Sequence, residues 1–144
     1  YNLSIYGEGE LKEDLVRYAE QLGISEAVKF HGFSSEIHKI MAESAIYVSS
    51  SDYEGISNSM LEALAIGIPV VCTDCPVGGA RMYIRDGRNG YLIPVGDADV
   101  MADRMLSLME DKKLGESFSK ESVKIREELT DDRIFGMWKA LLIR

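Results

Sequence analysis

The feature that most constrains the fold is a set of five short apolar segments that alternate with segments of helical periodicity. They read LSIY, VKFH, AIYV, PVVC and YLI, and begin at residues 3, 28, 45, 69 and 91. Between the first two, apolar residues recur at helical spacing at Leu11, Leu15, Tyr18 and Leu22. Short strands separated by helices pair in parallel and are covered by those helices. The sequence therefore predicts an α/β fold with a doubly wound, Rossmann-like parallel sheet.

Further helices are predicted from the same periodicity and from the residues that end them. In full, the predicted helices run from Leu11 to Gly23, around Ile37 to Met41, from Ser57 or Asn58 to Gly67, from Asp97 to about Glu110, and from Lys112 to about Glu128. A last amphipathic helix presents Phe135, Trp138 and Leu142 on one face. That face either packs on the core of the domain itself or meets a partner outside it.

Length and charge narrow the class of protein. The 144 residues predict one domain, 1–144, and because the sequence opens on Tyr1 and directly enters a strand we expect a piece of a longer protein. Its 16 basic and 24 acidic residues give a net charge of −8, which argues against nucleic acid and against an anionic membrane surface as partners. No apolar run approaches the roughly 18 to 20 residues of a membrane span. An anionic small ligand remains possible at a helix start.

Cys72 and Cys75 have the spacing of a redox or half-zinc motif. A structural zinc site needs four ligands, and only His31 and His38 could complete the set, without suitable spacing. A redox pair would lie at the start of a long helix, whereas this cysteine pair follows a strand and is followed directly by Pro76. We expect no metal and no cofactor, and two reduced cysteines favour a cytoplasmic protein.

Ligands of open parallel sheets bind beyond the carboxyl ends of the strands, which selects the loops 7–10, 32–35, 49–59 and 73–80. The first loop begins Gly7-Glu8-Gly9, like a dinucleotide fingerprint. Lys12 stands where the third glycine would be, and His31 stands where an acidic residue would end the next strand. A tight turn is therefore favoured over an NAD site.

The loop 49–59 has the composition of a phosphate site. Ser57 or Asn58 is a suitable N-cap, and the first helical turn leaves N–H groups that attract an anion. Gly55 lets a ligand approach the backbone, while Glu54 precedes the helix and Glu62 lies roughly 6 Å along it. Carboxylates accept hydrogen bonds from vicinal hydroxyls, so this pattern predicts a nucleotide sugar. The alternative is that both carboxylates are merely solvated.

The same residues resemble a known family. The stretch EGISNSMLEA at 54–63, followed by GIPVV at 67–71, resembles the Glu–seven residues–Glu signature of retaining GT-B glycosyltransferases, in particular family four. The resemblance continues through GEGE at 7–10, HGF at 31–33, CPVGGAR at 75–81 and DGRNGYLIP at 86–94. It covers nearly the whole chain and implies the C-terminal half of a GT-B fold.

The resemblance also implies roles for individual residues. Glu54 would act as the catalytic residue by contacting the hydroxyls of the transferred sugar, and Glu62 would hold the ribose. The remaining substrate-binding residues would be Gly55, Ile56, Ser57 and Asn58 at the diphosphate, Gly32 and Phe33 at the base, and Gly7. Arg81 falls near the sequence position at which many members of the family carry a glutamate. It would either face the phosphates or cap the sheet edge.

The implied reaction is transfer of a hexosyl or N-acetylhexosaminyl group from a UDP- or GDP-linked sugar to a glycan or lipid-linked acceptor. It would retain configuration, need no metal and serve polysaccharide or oligosaccharide biosynthesis. The acceptor would be bound by an N-terminal domain absent from this sequence, so we expect the chain alone to be inactive. The protein would be cytoplasmic, and its full-length form could lie at the inner face of the membrane. Alternatives are a nucleotide-binding module without transferase activity and a GT-B epimerase.

Overall fold

The computed structural model describes residues 1–143, and the chain forms two compact units that meet in sequence after Ile37. In the first unit, β1 (Leu3–Tyr6) and β2 (Val28–His31) pair in parallel, and α1 (Lys12–Gln21) connects them in sequence. Leu3 lies opposite Val28, and the rings of Tyr6 and His31 stack at the other end of the pair. This unit is a small βαβ motif.

The second unit contains a three-stranded parallel sheet in the order β3-β4-β5. Its elements are α2 (Ile37–Ala42), β3 (Tyr47–Ser49), α3 (Asn58–Ile66), β4 (Val70–Thr73), α4 (Gly79–Tyr83), β5 (Gly90–Ile93), α5 (Ala98–Glu110), α6 (Lys112–Ser122), α7 (Ile125–Glu128) and α8 (Asp131–Leu142). Every residue of β4 is buried, as expected for a continuously apolar strand between two neighbours.

The core of the second unit lies where α5 and α6 pack beside this sheet. Val71 and Ile93 of the strands contact Leu108 of α5 and Phe118 of α6, and the ring of Tyr91 tilts against that of Phe118 at 5.1 Å. These side chains are almost wholly removed from water. Complete burial of one such side chain contributes about 1.5–3 kcal/mol to folding.

The predicted α/β class, the parallel strands and all five strand positions are confirmed, with ends that shift by one or two residues. The hydrogen bonds distribute the strands over a two-stranded and a three-stranded sheet. The short helix α4 was not predicted, because five residues are too few for a periodic pattern.

One predicted helix is wrong. The stretch from Lys112 to Glu128 is two helices, because α6 ends at Ser122 and α7 begins at Ile125. The buried hydroxyl of Ser122 donates hydrogen bonds to the carbonyls of Asn89 and Phe118. A side chain that bonds the backbone in this way bends a helix, and here it fixes the turn against the loop before β5.

The last helix, α8, does not pack on the core of its own unit. Phe135, Trp138 and Leu142 are 70%, 61% and 79% exposed, and no residue of α8 that the structure describes is buried. Of the two alternatives for this face, packing on the core is therefore the one that the structure contradicts. Across residues 1–143 no helix has the length and apolar character needed to cross a bilayer.

Gly67→Ala tests the C-terminal end of α3. Gly67 has φ +98°, and a Cβ there would lie 2.9 Å from Cγ1 of Val123. We expect the free energy of unfolding to fall by about 1–3 kcal/mol, because both the backbone and the neighbour resist a side chain. Urea unfolding measures this. Gly136→Ala, where a Cβ meets open space, is the control, and an equal loss in both variants would contradict the assignment.

Candidate functional site

The candidate site of the second unit lies where two neighbouring strands end. β3 and β4 are parallel, with Tyr47 opposite Val70 and Ser49 opposite Cys72, so the loops that leave both strands emerge at the same edge of the sheet. The first loop carries Glu54 and Gly55 and leads into α3. Parallel pairing therefore places the predicted phosphate loop beside the segment that follows β4.

Ser57 caps the start of α3. Its backbone is extended (φ −71°, ψ 119°), and its hydroxyl accepts a hydrogen bond from the amide of Met60 at 3.4 Å. Of the two predicted caps, Ser57 is thus confirmed, and Asn58 is the first helical residue. The remaining N–H groups of this first turn have no acceptor within the helix and lie at the positive end of the helix dipole.

A chain of hydroxyl groups supports this cap. The phenol of Tyr47 lies 2.7 Å from the hydroxyl of Ser59, and that hydroxyl lies 3.1 Å from Ser57 Oγ. Burial raises the pKa of Tyr47, so its phenol stays protonated and can act as a hydrogen-bond donor. The hydroxyl chain connects the cap to β3.

The two glutamates have different surroundings. The Glu54 side chain is exposed, and its Oε1 accepts from the amide of Gly55 at 3.2 Å. Glu62 lies on α3, where its Oε2 is 3.3 Å from Nε2 of His38 on α2. The carboxylate of Glu62 is therefore oriented by a neighbouring helix, whereas that of Glu54 depends on how its loop is held.

A small cavity lies under the loop, with Ser49, Glu54, Ser57, Cys72 and Thr73 among its lining residues. Its volume is about 10 Å³, which is room for about one water molecule. The cavity is therefore too small to enclose a ligand larger than water.

The two cysteines are buried and free. Burial raises the pKa of the Cys72 thiol to about 12, so the thiol is neutral at physiological pH. Within the described residues no three His, Cys, Asp or Glu side chains are arranged to hold a metal ion. Both cysteine side chains belong to the buried apolar core of the second unit.

Arg81 pairs with Asp74 in a two-point contact. Its Nε and Nη2 donate to the two carboxylate oxygens of Asp74 at 2.8 and 2.6 Å, and this partner raises the pKa of Arg81. The pair joins the end of β4 to α4. Neither role predicted for Arg81 included this partner, and contact of Arg81 with phosphate stays a prediction.

Gly7, Gly32 and Phe33 lie in the first unit, at the carboxyl ends of β1 and β2. Gly7 has φ +125° and its amide donates to the carbonyl of Gly32, which fits the predicted tight turn. Phe33 is 88% exposed. The structure thus brings Gly7 together with Gly32. In the second unit, it brings the loop of Glu54 and Gly55 together with the segment that follows β4.

Sequence reasoning missed three residues of the site, namely His38, Tyr47 and Asp74. Tyr47 lies within a predicted strand, but its hydroxyl partner lies on another element. His38 and Asp74 carried no motif at all, because their roles come from contacts with Glu62 and Arg81. Asp74 was marked only by its place after the fourth strand, because ligands of open parallel sheets bind beyond the carboxyl ends of the strands.

Comparison with known families gives one match over most of the chain. The family model described as glycosyl transferases group 1 matches residues 1–124. This range includes both units up to the end of α6, and therefore every candidate residue described above.

Several curated relatives are more than 30% identical, including two N-acetylhexosaminyltransferases. The chain is 35% identical over 129 residues to N-acetylgalactosamine-N,N'-diacetylbacillosaminyl-diphospho-undecaprenol 4-alpha-N-acetylgalactosaminyltransferase of Campylobacter jejuni, with 90% of the chain and 35% of that protein aligned. It is 33% identical over 135 residues to poly(ribitol-phosphate) alpha-N-acetylglucosaminyltransferase of Staphylococcus aureus, with 93% and 27% aligned. The chain spans about a third of the length of such relatives.

Solved structures share the fold. A mutant of TarM from S. aureus, in complex with fondaparinux, alpha-GlcNAc-glycerol and UDP, superposes with a TM-score of 0.91 at 31% identity, over 97% of this chain and 28% of that one. The C-terminal domain of the group 1 glycosyl transferase LpcC from Francisella tularensis superposes with a TM-score of 0.73 at 28% identity. This superposition covers 83% of this chain and 62% of that one. The first likeness covers nearly the whole chain.

Thiol labelling tests the burial of Cys72 in a Cys75→Ser variant, where it is the single thiol. We expect very slow reaction with a disulfide reagent at neutral pH, because only the thiolate reacts and the pKa is about 12. The rate should rise as the pH increases toward that value, or when urea unfolds the chain. Labelling of the folded chain as fast as of the unfolded chain would contradict the assignment.

Proposed function

Since the chain belongs to the family of glycosyl transferases group 1 and has the Rossmann-like fold of a GT-B C-terminal domain, we propose that it binds the sugar donor of a retaining glycosyltransferase. The substrate would be a UDP- or GDP-linked sugar. The acceptor, a glycan or a lipid-linked precursor, would bind to a part of the enzyme outside this sequence. We expect the chain alone to transfer nothing.

The observation that carries the proposal is the capped start of α3 between Glu54 and Glu62. Amides of residues 55–58 would donate hydrogen bonds to the diphosphate, because the start of this helix offers N–H groups and a positive dipole without a cationic side chain. The net charge of −8 does not prevent this, because acidic side chains more than about 8–10 Å from the site are screened by physiological salt.

The carboxylates would bind the two sugars on either side of that diphosphate. Glu62, held by His38 at 3.3 Å, would accept hydrogen bonds from the ribose hydroxyls. Glu54 would contact the hydroxyls of the transferred sugar. Contact of Gly7, Gly32 and Phe33 with the nucleotide stays a prediction.

The chemistry would be electrostatic. As the bond between sugar and diphosphate breaks, negative charge develops on the leaving oxygen, and amides already aimed at it stabilise that charge without reorganisation. The acceptor would attack from the same face, which retains configuration. Arg81 keeps its positive charge beside Asp74 and would add to the field at the phosphates.

The names of the relatives favour a sugar class. Both are described as alpha-N-acetylhexosaminyltransferases, and the TarM mutant was crystallised with UDP. An N-acetylhexosaminyl group from a UDP-linked donor, in polysaccharide or oligosaccharide biosynthesis, is therefore our first expectation. The two free cysteines favour the cytoplasm as its location.

The primary test is a ligand-observed NMR titration of the chain with UDP, GDP, ADP and their sugar conjugates. We expect selective contact with one nucleoside diphosphate, and about tenfold weaker binding in Glu62→Ala, because one charge-assisted hydrogen-bonding group is lost. Inorganic pyrophosphate, which has no ribose, should bind both proteins equally.

Glu116→Ala is the matched control, since Glu116 is an exposed helical glutamate on α6 outside the site. Loss of affinity in the control would indicate a general charge effect. If Glu54→Ala weakened the nucleotide sugar no more than the bare nucleoside diphosphate, a nucleotide-binding module would be favoured over a transferase.

Two substitutions of Ser57 separate the helix cap from the phosphate site. Ser57→Ala should lower stability by about 0.5–2 kcal/mol, whereas Ser57→Asp should retain the cap. Only Ser57→Asp places a negative charge where the diphosphate would bind, so it should lose nucleotide affinity while its urea midpoint stays near that of the wild type. Undiminished affinity in Ser57→Asp would refute the phosphate assignment.

A further inference from the structure

The backbone of Glu54 is held by the segment that follows β4. The amide of Glu54 donates to the carbonyl of Pro76 at 2.9 Å, and the amide of Val77 donates to the carbonyl of Glu54 at 3.2 Å. Both polar groups of this one residue are therefore bonded to the same neighbouring segment. The loop position of Glu54 depends on contacts outside its own helix.

A glycine makes this approach possible. Gly79 is buried, and a Cβ there would overlap the carbonyl of Gly55 and lie 2.9 Å from the Cα of Ile56. Its own φ is not positive, so a side chain is excluded by the neighbouring backbone and not by conformation. Gly55, on the other side of this contact, has room for a side chain, because a Cβ there would meet no atom within 4 Å.

Two further contacts support this arrangement, one between the two segments and one within the segment that follows β4. The hydroxyl of Thr73 donates to the carbonyl of Ser51 at 2.5 Å, which ties the start of the Glu54 loop to the end of β4. The ion pair of Arg81 with Asp74 joins the two ends of the segment 74–81. We call residues 73–81 the clamp.

We propose that the clamp positions Glu54 and that Gly79 is its essential positioning residue. The inference rests on the proposed function, because it concerns the affinity that Glu54 adds for the transferred sugar. A methyl group at position 79 displaces the peptide between Gly55 and Ile56, and thereby the neighbouring residue Glu54. The start of α3 stays in place, because it is fixed independently by the Ser57 cap and by the buried Met60.

The first measurement needs no ligand. Amide exchange, followed by NMR, reports the hydrogen bond from Glu54 to Pro76. In Gly79→Ala we expect exchange of the Glu54 amide to accelerate by about tenfold, the equivalent of losing one hydrogen bond, while the core amides of β4 stay protected. Gly55→Ala is the matched control from the other side of the contact and should keep the protection.

The second measurement compares the dissociation constants of UDP and UDP-N-acetylglucosamine. Gly79→Ala should reduce the ratio of the two affinities, which is the affinity gained from the sugar, by about tenfold beyond any loss of UDP affinity that follows from moving the peptide between Gly55 and Ile56. Glu54→Ala should show the same loss, and the double variant no additional loss. Equal weakening of both ligands, additive losses or undisturbed Glu54 exchange would overturn the proposal.

The two measurements also separate the inference from the proposed function. If neither ligand binds the wild type, the function proposal fails, and the exchange experiment alone still decides whether the clamp holds Glu54. If Gly79→Ala does not fold, Thr73→Val replaces it, because it removes the tie to Ser51 without adding volume. Thr73→Val should accelerate exchange of the Glu54 amide and lower the affinity gained from the sugar. If both quantities are unchanged, the proposal is overturned.

Discussion

The parallel pairing of β4 with both of its neighbours is the interaction on which the rest of the second unit depends. β4 is buried along its length, so its backbone groups must be satisfied by β3 and β5. This pairing fixes where the strands end, and the loops that follow β3 and β4 therefore meet at one edge. The candidate site is a direct consequence of that arrangement, since one loop carries Glu54 and the other carries Gly79.

The start of α3 combines a local and a distant constraint. Ser57 fixes the helix start through its own hydroxyl, and the hydroxyl chain to Tyr47 anchors that cap to β3. At the other end, Arg126 donates to the carbonyl of Ala65, so a cation lies at the negative end of the helix dipole. A helix held at both ends can present its first amides in a fixed direction, which is what electrostatic stabilisation of a leaving group requires.

Much of the fold was predictable because the signals are local. Five apolar segments, the glycine that ends α3 and the cap at Ser57 are each read within a few neighbouring residues. The break between α6 and α7 was not predictable, because Ser122 bends the chain by bonding Asn89, which is distant in sequence. The sequence left open whether Trp138 is buried or exposed for a similar reason, since an amphipathic pattern does not identify the surface that its apolar face packs against.

The sequence by itself determined the α/β class, the position of the helix start and the spacing of Glu54 and Glu62 along the chain, because backbone propensity and capping act over one or two turns. Only the tertiary structure decided the partners of these residues. His38 lies beside Glu62, Asp74 pairs with Arg81, and Gly79 lies against Gly55. The contacts of His38 with Glu62 and of Gly79 with Gly55 join residues that are distant in sequence and meet only after the strands have paired, so no local pattern could specify them.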